Sequence, residues 1–380
     1  MLPESDDFTR TAWHPQSWMH DLRSQIGEMA ITQVCFVGSH NAASYGIHKG
    51  SPFAKDAPGV LYENSFRGSL ARLFSYRISA SWAKCQGMSV RAQLDHGVRY
   101  LDLRVATNPK DASRLYISHA QISVPLAVVL EDVKAFLNDP LSANEFIVLD
   151  FHHLFLTDDS DGQGKFFREL DRLSDRFIPV DVPLTTPLAV LWRTSREKRI
   201  FLVVAARRNM MPYPAARIRS KCMVSRWVNK CSLRELLQAL TNLLLDDLNH
   251  APSGSSSRLY VTQAVYTVCS CDIFRGIFPK ISSKAVSSIY DVAKRINPSL
   301  LEWFYSLNAR GLLDGAKVKI PPGINTHGNI LMLDYVELGR CRIMDGARET
   351  NAVGMCVYLN ILRASRPRAS SPAAPALNEE

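Results

Sequence analysis

Six short apolar runs, separated by helix-like segments, are the feature that most constrains the fold of this 380-residue chain. They are rich in Val, Ile, Leu, Phe and Tyr, and most are almost continuously apolar. Such runs are typical of strands buried on both faces of a parallel sheet. We predict strands at Val34–Gly38, Arg99–Ala106, Phe146–Phe151, Arg199–Ala206, Arg258–Thr267 and Asn329–Tyr335.

The segments between these runs carry helical periodicity. Leucine and valine recur at three- and four-residue steps over 126–137 and 233–244, which predicts two helices. A further helix is predicted over Pro298–Ala309, with Asn297 as its N-cap and Pro298 at its first position. Strand–helix alternation predicts an α/β fold, and a closed or nearly closed barrel is its most economical single-domain form.

The composition excludes several classes of protein. With 46% apolar and 21% charged residues the chain is typical of a globular protein, and no apolar run approaches the roughly 20 residues that cross a bilayer. The polar start MLPESDDFTR lacks the features of a secretory signal, so we expect a cytoplasmic protein. Eight scattered cysteines without a CxxC pair predict reduced thiols rather than disulfides or a zinc site.

The net charge of +9 favours anionic partners. No zinc-finger, RNP or heptad pattern supports nucleic acid, so the charge favours an acidic lipid surface, with a passive basic surface as the alternative. We expect an N-terminal extension over 1–17, the barrel over 18–363 and a disordered tail over 364–380, which is poor in bulky apolar residues.

The segment from Ser51 to Gly87 is long for a barrel loop. Four apolar residues within it share one face of a helix, three arginines lie nearby, and Trp82 follows. Two interpretations remain open, namely an ordinary barrel helix and a basic amphipathic helix at a lipid interface. The residues concerned are Leu70, Leu73, Phe74, Ile78, Arg67, Arg72 and Arg77.

Polar residues cluster at the carboxyl ends of the predicted strands, where barrel active sites lie. Asp102 and Arg104 alternate within one strand and so share a face. Two histidines suit general acid–base catalysis, because the ordinary pKa of an imidazole lies near neutral pH. A guanidinium can bind a phosphate oxygen, so the set indicates phosphoryl transfer without a cofactor. The cluster comprises His40, Asn41, Asp102, Arg104, His119, Asp150, His152, His153 and Asp334.

Several blocks resemble the X domain of phosphatidylinositol-specific phospholipases C. WMHDLRSQI with GSHNAASYGI resembles its opening, QLDHGVRYLDLRV with YISHA its second block, and NEFIVLDFHH its third. INPSLLEWF and GNILMLDYV resemble the closing region of the bacterial enzymes. The order matches from about Trp18 to Asn351, and the animal X-domain-containing proteins look most similar, also at Trp227-x-Asn229.

The resemblance implies a distorted TIM-type barrel and a two-step reaction. The inositol 2-hydroxyl attacks the phosphodiester, releasing diacylglycerol and a cyclic inositol phosphate, which is either the final product or is opened by water. His40 matches the general base, His119 the general acid and Arg104 the phosphate-binding arginine. Asp334 matches the carboxylate that pairs with the base, and Asp102 the acidic residue before the arginine.

Calcium-dependent relatives carry an acidic ligand where Arg104 stands, so the resemblance implies a metal-independent enzyme without cofactors. The chain departs from the metal-independent pattern at Asn41, where Asp is usual, and at His152, where bacterial members have Lys. We predict that both contact substrate, with a structural role for His152 and His153 as the equal alternative. The predicted substrate-binding set also contains Asp150, Trp227 and Arg207, which lies near the position of a bacterial substrate-binding arginine without matching its register.

The predicted activity is hydrolysis of an inositol phospholipid at a membrane to which the protein binds peripherally. Asn41 and His152 leave open a second hypothesis, a catalytically weak or silent X-domain module that binds inositol lipid or a protein. A third, a barrel phosphodiesterase of the glycerophosphodiester type, needs a cluster of acidic metal ligands, and the neighbouring Asp102 and Arg104 suit it poorly.

Overall fold

The computed structural model describes residues 12–57, 79–108, 110–156, 160–206, 212–250, 257–269, 272, 286–310, 312–313, 316–317 and 328–365. Eight parallel strands within them form one curled sheet and follow one another around it in chain order. They are β1 (Phe36–Ser39), β2 (Tyr100–Asn108), β5 (Ile147–Phe155), β6 (Ile200–Val204), β7 (Arg217–Ile218), β8 (Met223–Ser225), β9 (Leu259–Gln263) and β12 (Ile330–Leu333).

The sheet order is β7-β6-β5-β2-β1-β12-β9-β8. The first and last of these strands along the chain lie side by side, with Phe36 opposite Ile330, and this pairing curls the sheet back on itself. Strands β7 and β8 each pair with one neighbour within the described residues, so the barrel is open between them. The predicted α/β fold with a distorted TIM-type barrel is confirmed.

Two antiparallel strands follow β2 and extend the sheet outside the barrel. Strand β3 (Asp111–His119) pairs with the far half of β2, and β4 (Gln121–Pro125) pairs with β3. Because β3 runs against β2, its carboxyl end returns to the barrel, and His119 is its last residue. The remaining strands, β10 (Leu312–Leu313), β11 (Ala316–Lys317), β13 (Cys341–Ile343) and β14 (Arg348–Thr350), form two separate hairpins.

All six predicted strands are present, as are the helices predicted over 126–137 and 233–244. The described α-helices are α1 (Trp18–Asp21), α2 (Arg23–Ile26), α3 (Val90–Asp95), α4 (Leu126–Asn138), α5 (Ser160–Leu170), α6 (Leu188–Thr194), α7 (Arg219–Cys222), α8 (Leu233–His250), α9 (Ile289–Tyr305) and α10 (Ala352–Ala364).

The predicted start of the helix at Pro298 is wrong, because α9 begins nine residues earlier. Ser288 is its N-cap, with its hydroxyl accepting the N–H of Asp291, and Pro298 lies inside the helix. Asn297 is buried, and its side-chain amide donates to the backbone carbonyls of Asp334 (3.0 Å) and Leu338 (3.2 Å). The supposed cap therefore holds the loop that follows β12.

A buried ion pair closes the amino ends of β2 and β5. Arg99 and Glu145 are fully buried, with Nη2 and Oε2 2.7 Å apart. Glu145 also accepts the N–H groups of Met19 and His20 in α1, so its oxygens are well satisfied. Arg99 donates in addition to the carbonyl of Gln16, which means that barrel contacts reach into the predicted N-terminal extension.

Six of the cysteines are free thiols, namely Cys35, Cys85, Cys222, Cys231, Cys341 and Cys356. Cys269 is disulfide-bonded, so the prediction of eight reduced thiols is wrong there.

Within the described residues, no helix combines the length and apolar character that a bilayer span requires. Several predictions fall on residues outside the described part. They concern most of the N-terminal extension (1–11), most of the amphipathic helix (58–78), Arg207 (207–211) and most of the C-terminal tail (366–380).

Candidate active site

The acid–base candidates meet at the carboxyl ends of the strands. His40 directly follows β1 and Asp334 directly follows β12, and these strands are neighbours with Ser39 opposite Leu333. The two side chains are therefore brought together by register, with His40 Nδ1 2.7 Å from Asp334 Oδ1, and both are nearly buried. His119 arrives from β3, and its ring centroid lies 6.0 Å from that of His40.

The hydrogen-bond partners of His40 assign its tautomer. A carboxylate only accepts, so Nδ1 carries the proton that is shared with Asp334. The side-chain amide of Asn41 lies 3.0 Å from Nε2 and donates to it. Nε2 is therefore the unprotonated nitrogen, which is the form that a general base requires.

His119 is held in the complementary way. Its Nδ1 donates to the carbonyl of Ala83 at 2.8 Å, which leaves Nε2 free of that contact. Burial lowers the pKa of His119 to about 3, and the positive charge of Arg104 and the neighbouring His40 add to the effect. The imidazole is thus neutral in the free site, and a bound anion is needed to favour its protonated form.

Asp102 and Arg104 share one face of β2, as predicted. Asp102 is buried, and its Oδ2 accepts the backbone N–H of Asn41 at 3.1 Å. Burial alone would raise the pKa of Asp102, but His152, Arg104 and His40 together hold it well below its ordinary value. The carboxylate is therefore ionised and offsets the charge of the arginine beside it.

Three buried polar atoms around this pair lack a hydrogen-bond partner among the described residues: Asn41 Oδ1, Asp102 Oδ1 and Arg104 Nε. Buried polar atoms are rarely left unpaired, since each costs about 1–3 kcal/mol. Two acceptors and one guanidinium donor suit a ligand that carries hydroxyl groups and a phosphate.

A β-bulge places the two histidines of β5. Leu103 faces Phe151 and Arg104 faces His153, so His152 is the extra residue in the ladder. His152 Nδ1 lies 3.4 Å from Asp102 Oδ1, and its ring stacks on that of His153 at 4.1 Å. The structure thus places His152 beside Asp102, and its contact with substrate stays a prediction.

Asp150 lies beneath the site rather than in it. It is fully buried, accepts the hydroxyl of Tyr100 at 2.7 Å and forms an ion pair with Arg219 at 2.9 Å. Burial raises its pKa, and Arg219 partly offsets this. Both oxygens are occupied, which favours a supporting role for Asp150 over the predicted contact with substrate.

Trp227 follows β8 and stands at the mouth of the barrel. Its side chain is 45% exposed, and its ring stacks on that of His40 with centroids 6.0 Å apart. Trp227 is thus a partly exposed wall beside His40, and its contact with substrate stays a prediction.

Cys85 and Gln86 were not predicted as site residues. The Gln86 amide donates to the carbonyls of His40 and Leu333, tying the ends of β1 and β12 together. Cys85 Sγ lies 3.5 Å from His119 Nδ1, and burial keeps its pKa well above the ordinary value, so it is a neutral thiol. Neither residue follows a strand, which is why strand-end patterns do not find them.

Among the described residues, one group of His, Cys, Asp and Glu side chains could hold a metal ion, and it consists of His40, Cys85 and Asp334. This set offers one nitrogen, one sulfur and one oxygen. Calcium takes six to eight oxygen ligands, so the donor chemistry does not fit a calcium site.

The fold and the site define a phosphodiesterase of the phosphatidylinositol phospholipase C class. The variant-surface-glycoprotein phospholipase C of Trypanosoma cruzi is 77% identical over 379 residues, covering 100% of both chains. The enzyme of the same name from Trypanosoma brucei brucei is 44% identical over 361 residues, covering 94% of this chain and 99% of that one. The chain belongs to the variant-surface-glycoprotein phospholipase C family.

Animal X-domain proteins are more distant than the sequence motifs suggested. PI-PLC X domain-containing protein 3 of Bos taurus is 25% identical over 338 residues, covering 85% and 89% of the two chains. No protein-family model matches the chain.

The similarity of fold extends to bacterial enzymes of known structure. The phosphatidylinositol-specific phospholipase C of Listeria monocytogenes superposes with a TM-score of 0.55 at 14% identity, over 93% of this chain and 100% of that one. A Staphylococcus aureus structure gives 0.54 at 16% identity, over 95% and 100%. At these identities the likeness concerns the fold.

Proposed function

We propose that the chain is a metal-independent phospholipase C that cleaves inositol phospholipids with His40 as general base and His119 as general acid. The observation that carries the proposal is the 2.7 Å contact of His40 with Asp334, which leaves Nε2 of His40 unprotonated across from His119.

In the first step, His40 Nε2 takes the proton of the inositol 2-hydroxyl as its oxygen attacks phosphorus. The bond from phosphorus to the glycerol oxygen breaks, and His119 Nε2 gives that oxygen a proton, which releases diacylglycerol and a five-membered cyclic phosphate. In the second step, water replaces the alcohol and the roles of the two histidines reverse. Each step leaves the enzyme's proton count unchanged.

Arg104 stabilises the negative charge that develops on the non-bridging phosphate oxygens. Its Nε has no hydrogen-bond partner among the described residues and is available to the ligand. The arriving phosphodiester carries one negative charge, which opposes the effect of Arg104 on His119 and favours protonation of that imidazole. Substrate binding and formation of the acid are thus coupled.

The fixed charge of Arg104 also explains the metal independence. At the usual effective dielectric constant near 20, a divalent cation about 4 Å away would be repelled by several kcal/mol. Asp102, the adjacent carboxylate, already offsets the charge of Arg104, and its Oδ2 accepts the backbone N–H of Asn41. The electrostatic work of a cation is then done by the guanidinium.

The substrate is an inositol phospholipid, either free phosphatidylinositol or the inositol lipid that anchors a surface glycoprotein. Relatives named for a variant surface glycoprotein support the second form. Asn41 and His152 face the place for inositol hydroxyls, and Trp227 lines the entrance. With a net charge of +9, the protein would act peripherally on anionic, phosphoinositide-containing membranes from the cytoplasm.

A direct test supplies the purified chain with mixed micelles of phosphatidylinositol, or with a lipid-anchored glycoprotein, in excess EDTA. We expect release of diacylglycerol and cyclic inositol phosphate, and none from His40→Ala. Activity that needs added calcium would refute the metal-independent mechanism.

The second candidate is a weak or silent lipid-binding module. It is favoured by Asn41, which offers no negative charge to Arg104, and by the neutral state of His119 in the free site. Binding to phosphatidylinositol vesicles without any product, for folded protein and for both substrates, would favour this candidate.

A further inference from the structure

A loop outside the barrel sheet is fastened to the turn that carries His119. Residues 52–56 run beside the start of β4: Phe53 forms an antiparallel bridge with Gln121, and Ile122 donates to the carbonyl of Pro52 at 2.8 Å. The loop then reaches Asp56, whose Oδ2 accepts the backbone N–H of Ala120 at 2.9 Å. Asp56 thus contacts the residue directly after His119.

Ala120 needs such a contact because of its backbone conformation. Its φ is +56°, in the left-handed region that costs a residue with a Cβ about 1–2 kcal/mol. The loop holds it from both sides, since Asp56 takes its N–H and its carbonyl accepts the N–H of Ala54 at 2.9 Å. The turn between β3 and β4 sets the direction of the His119 side chain.

Asp56 also stands within electrostatic reach of Arg104. Its Oδ1 is buried and has no hydrogen-bond partner among the described residues, like Ser118 Oγ. Ser118 lies across from Arg104, one step beyond the paired residues Val105 and Ile117. Burial raises the pKa of Asp56, while the N–H of Ala120 and the charge of Arg104 act to lower it.

The same arrangement occurs at the other histidine. Asp102 Oδ2 accepts the N–H of Asn41, which directly follows His40 and has a φ of +45°. Asp102 is likewise influenced by Arg104. Each catalytic histidine is therefore followed by a left-handed residue whose N–H is held by a carboxylate near the phosphate-binding arginine.

We propose that Asp56 is the positioning residue of the general acid, fixing His119 against the leaving oxygen through the N–H of Ala120. The inference rests on the proposed role of His119. It predicts a defect confined to protonation of the leaving group, because Asp56 touches neither the base nor the phosphate.

The test compares two substrates that differ in their need for an acid: phosphatidylinositol, whose alcohol must be protonated as it leaves, and inositol 1-(4-nitrophenyl phosphate), whose phenolate leaves without a proton. For Asp56→Ala we expect kcat on phosphatidylinositol to fall by about 10- to 100-fold with KM little changed, and kcat on the aryl ester to stay within about threefold. Asp56→Asn, which keeps an oxygen acceptor for Ala120, should retain most activity.

Asp111→Ala is the matched control, since Asp111 also accepts a backbone N–H, that of Ser113, but lies at the opposite end of β3 from His119. His119→Ala is the reference for the proposed function and should show the same leaving-group pattern as Asp56→Ala. If His119→Ala slows both substrates equally, the acid role of His119 fails. If His119→Ala shows the pattern and Asp56→Ala does not, the assignment of Asp56 is overturned.

Should Asp56→Ala fold poorly, Asp56→Ala with Ala120→Gly supplies the same test, because glycine adopts the left-handed turn without the Cβ penalty. Recovery of thermal stability with a persistent loss on phosphatidylinositol alone supports the proposal. Recovery of stability together with full activity on both substrates would show that Asp56 only stabilises the fold, and would overturn it.

Discussion

The neutral state of His119 gives the chain a pH-dependent stability that can be measured without any substrate. Its pKa is lowered from 6.5 to about 3 in the folded protein, first by burial and then by Arg104 and His40. In the unfolded chain the imidazole has its ordinary pKa. Below pH 6.5 the unfolded state therefore binds a proton that the folded state refuses, so stability falls as the pH falls, until about pH 3.

The slope is about 1.4 kcal/mol for each pH unit, so lowering the pH from 6.5 to 4.5 should cost about 2–3 kcal/mol through His119 alone. His119→Asn removes the titration, and its amide can still donate to the carbonyl of Ala83, as Nδ1 does. We therefore expect the variant to lose about 2–3 kcal/mol less than the natural chain over this interval, whatever the other groups contribute.

Urea unfolding at both pH values, followed by circular dichroism, gives the difference directly. His14→Asn is the control for the substitution itself, because it makes the same change at a side chain that is 80% exposed. Equal losses in the natural chain and in His119→Asn would mean that His119 protonates normally when folded, and the coupling of acid formation to substrate binding would be refuted.

Three further substitutions test the charges of the chain. Arg104→Lys keeps the charge but loses the planar fork, and should lower kcat/KM on phosphatidylinositol by about 100-fold; near-normal values would contradict phosphate binding by Arg104. Asp334→Asn leaves an acceptor but no charge beside His40, and should lower kcat by up to about 10⁴-fold with little change in KM, which steady-state kinetics would measure. Glu145→Ala strands the buried Arg99 and should destabilise the fold by about 3–5 kcal/mol. With an unfolding entropy of about 0.8 kcal/mol/K for 380 residues, calorimetry should show a Tm lower by about 5 °C, and an unchanged Tm would show that Arg99 is stabilised elsewhere.

The barrel was predictable because its strands are buried on both faces. All five residues of β6 are buried, and such strands appear in the sequence as continuous apolar runs whatever lies around them. The residues after each run follow from the same argument, since parallel strands end at one mouth. His40 and Asp334 were found in this way and lie together.

Features that depend on contacts between distant segments were not predictable. Proline is common in the first turn of a helix, which is why the sequence predicts a start at Pro298. The helix begins earlier, at the Ser288 cap, and its preceding turns are stabilised by packing. Asp150 directly follows an apolar stretch of the sequence, like the site residues, and only the approach of Arg219 from α7 shows that its oxygens are occupied. Asp56 and Gln86 act through backbone groups far away in sequence, and such contacts leave no periodic pattern.

The two proposed acid–base histidines and Asp334 share a local geometry that explains how short loops can position them. His40, His119 and Asp334 are each followed by a non-glycine residue with positive φ: Asn41 at +45°, Ala120 at +56° and Tyr335 at +44°. Each such turn costs about 1–3 kcal/mol and persists only where neighbours impose it. Here Asp102 and Asp56 hold the first two N–H groups and the carbonyl of Cys85 accepts the third, at distances of 2.8–3.1 Å. Glycine at these positions would remove the strain but also the restriction, because it adopts other conformations as readily. These turns therefore cost the fold several kcal/mol, but they make the side chains leave the strand ends in one fixed direction. The proposed reaction, with a histidine on each side of a phosphate, requires such fixed directions.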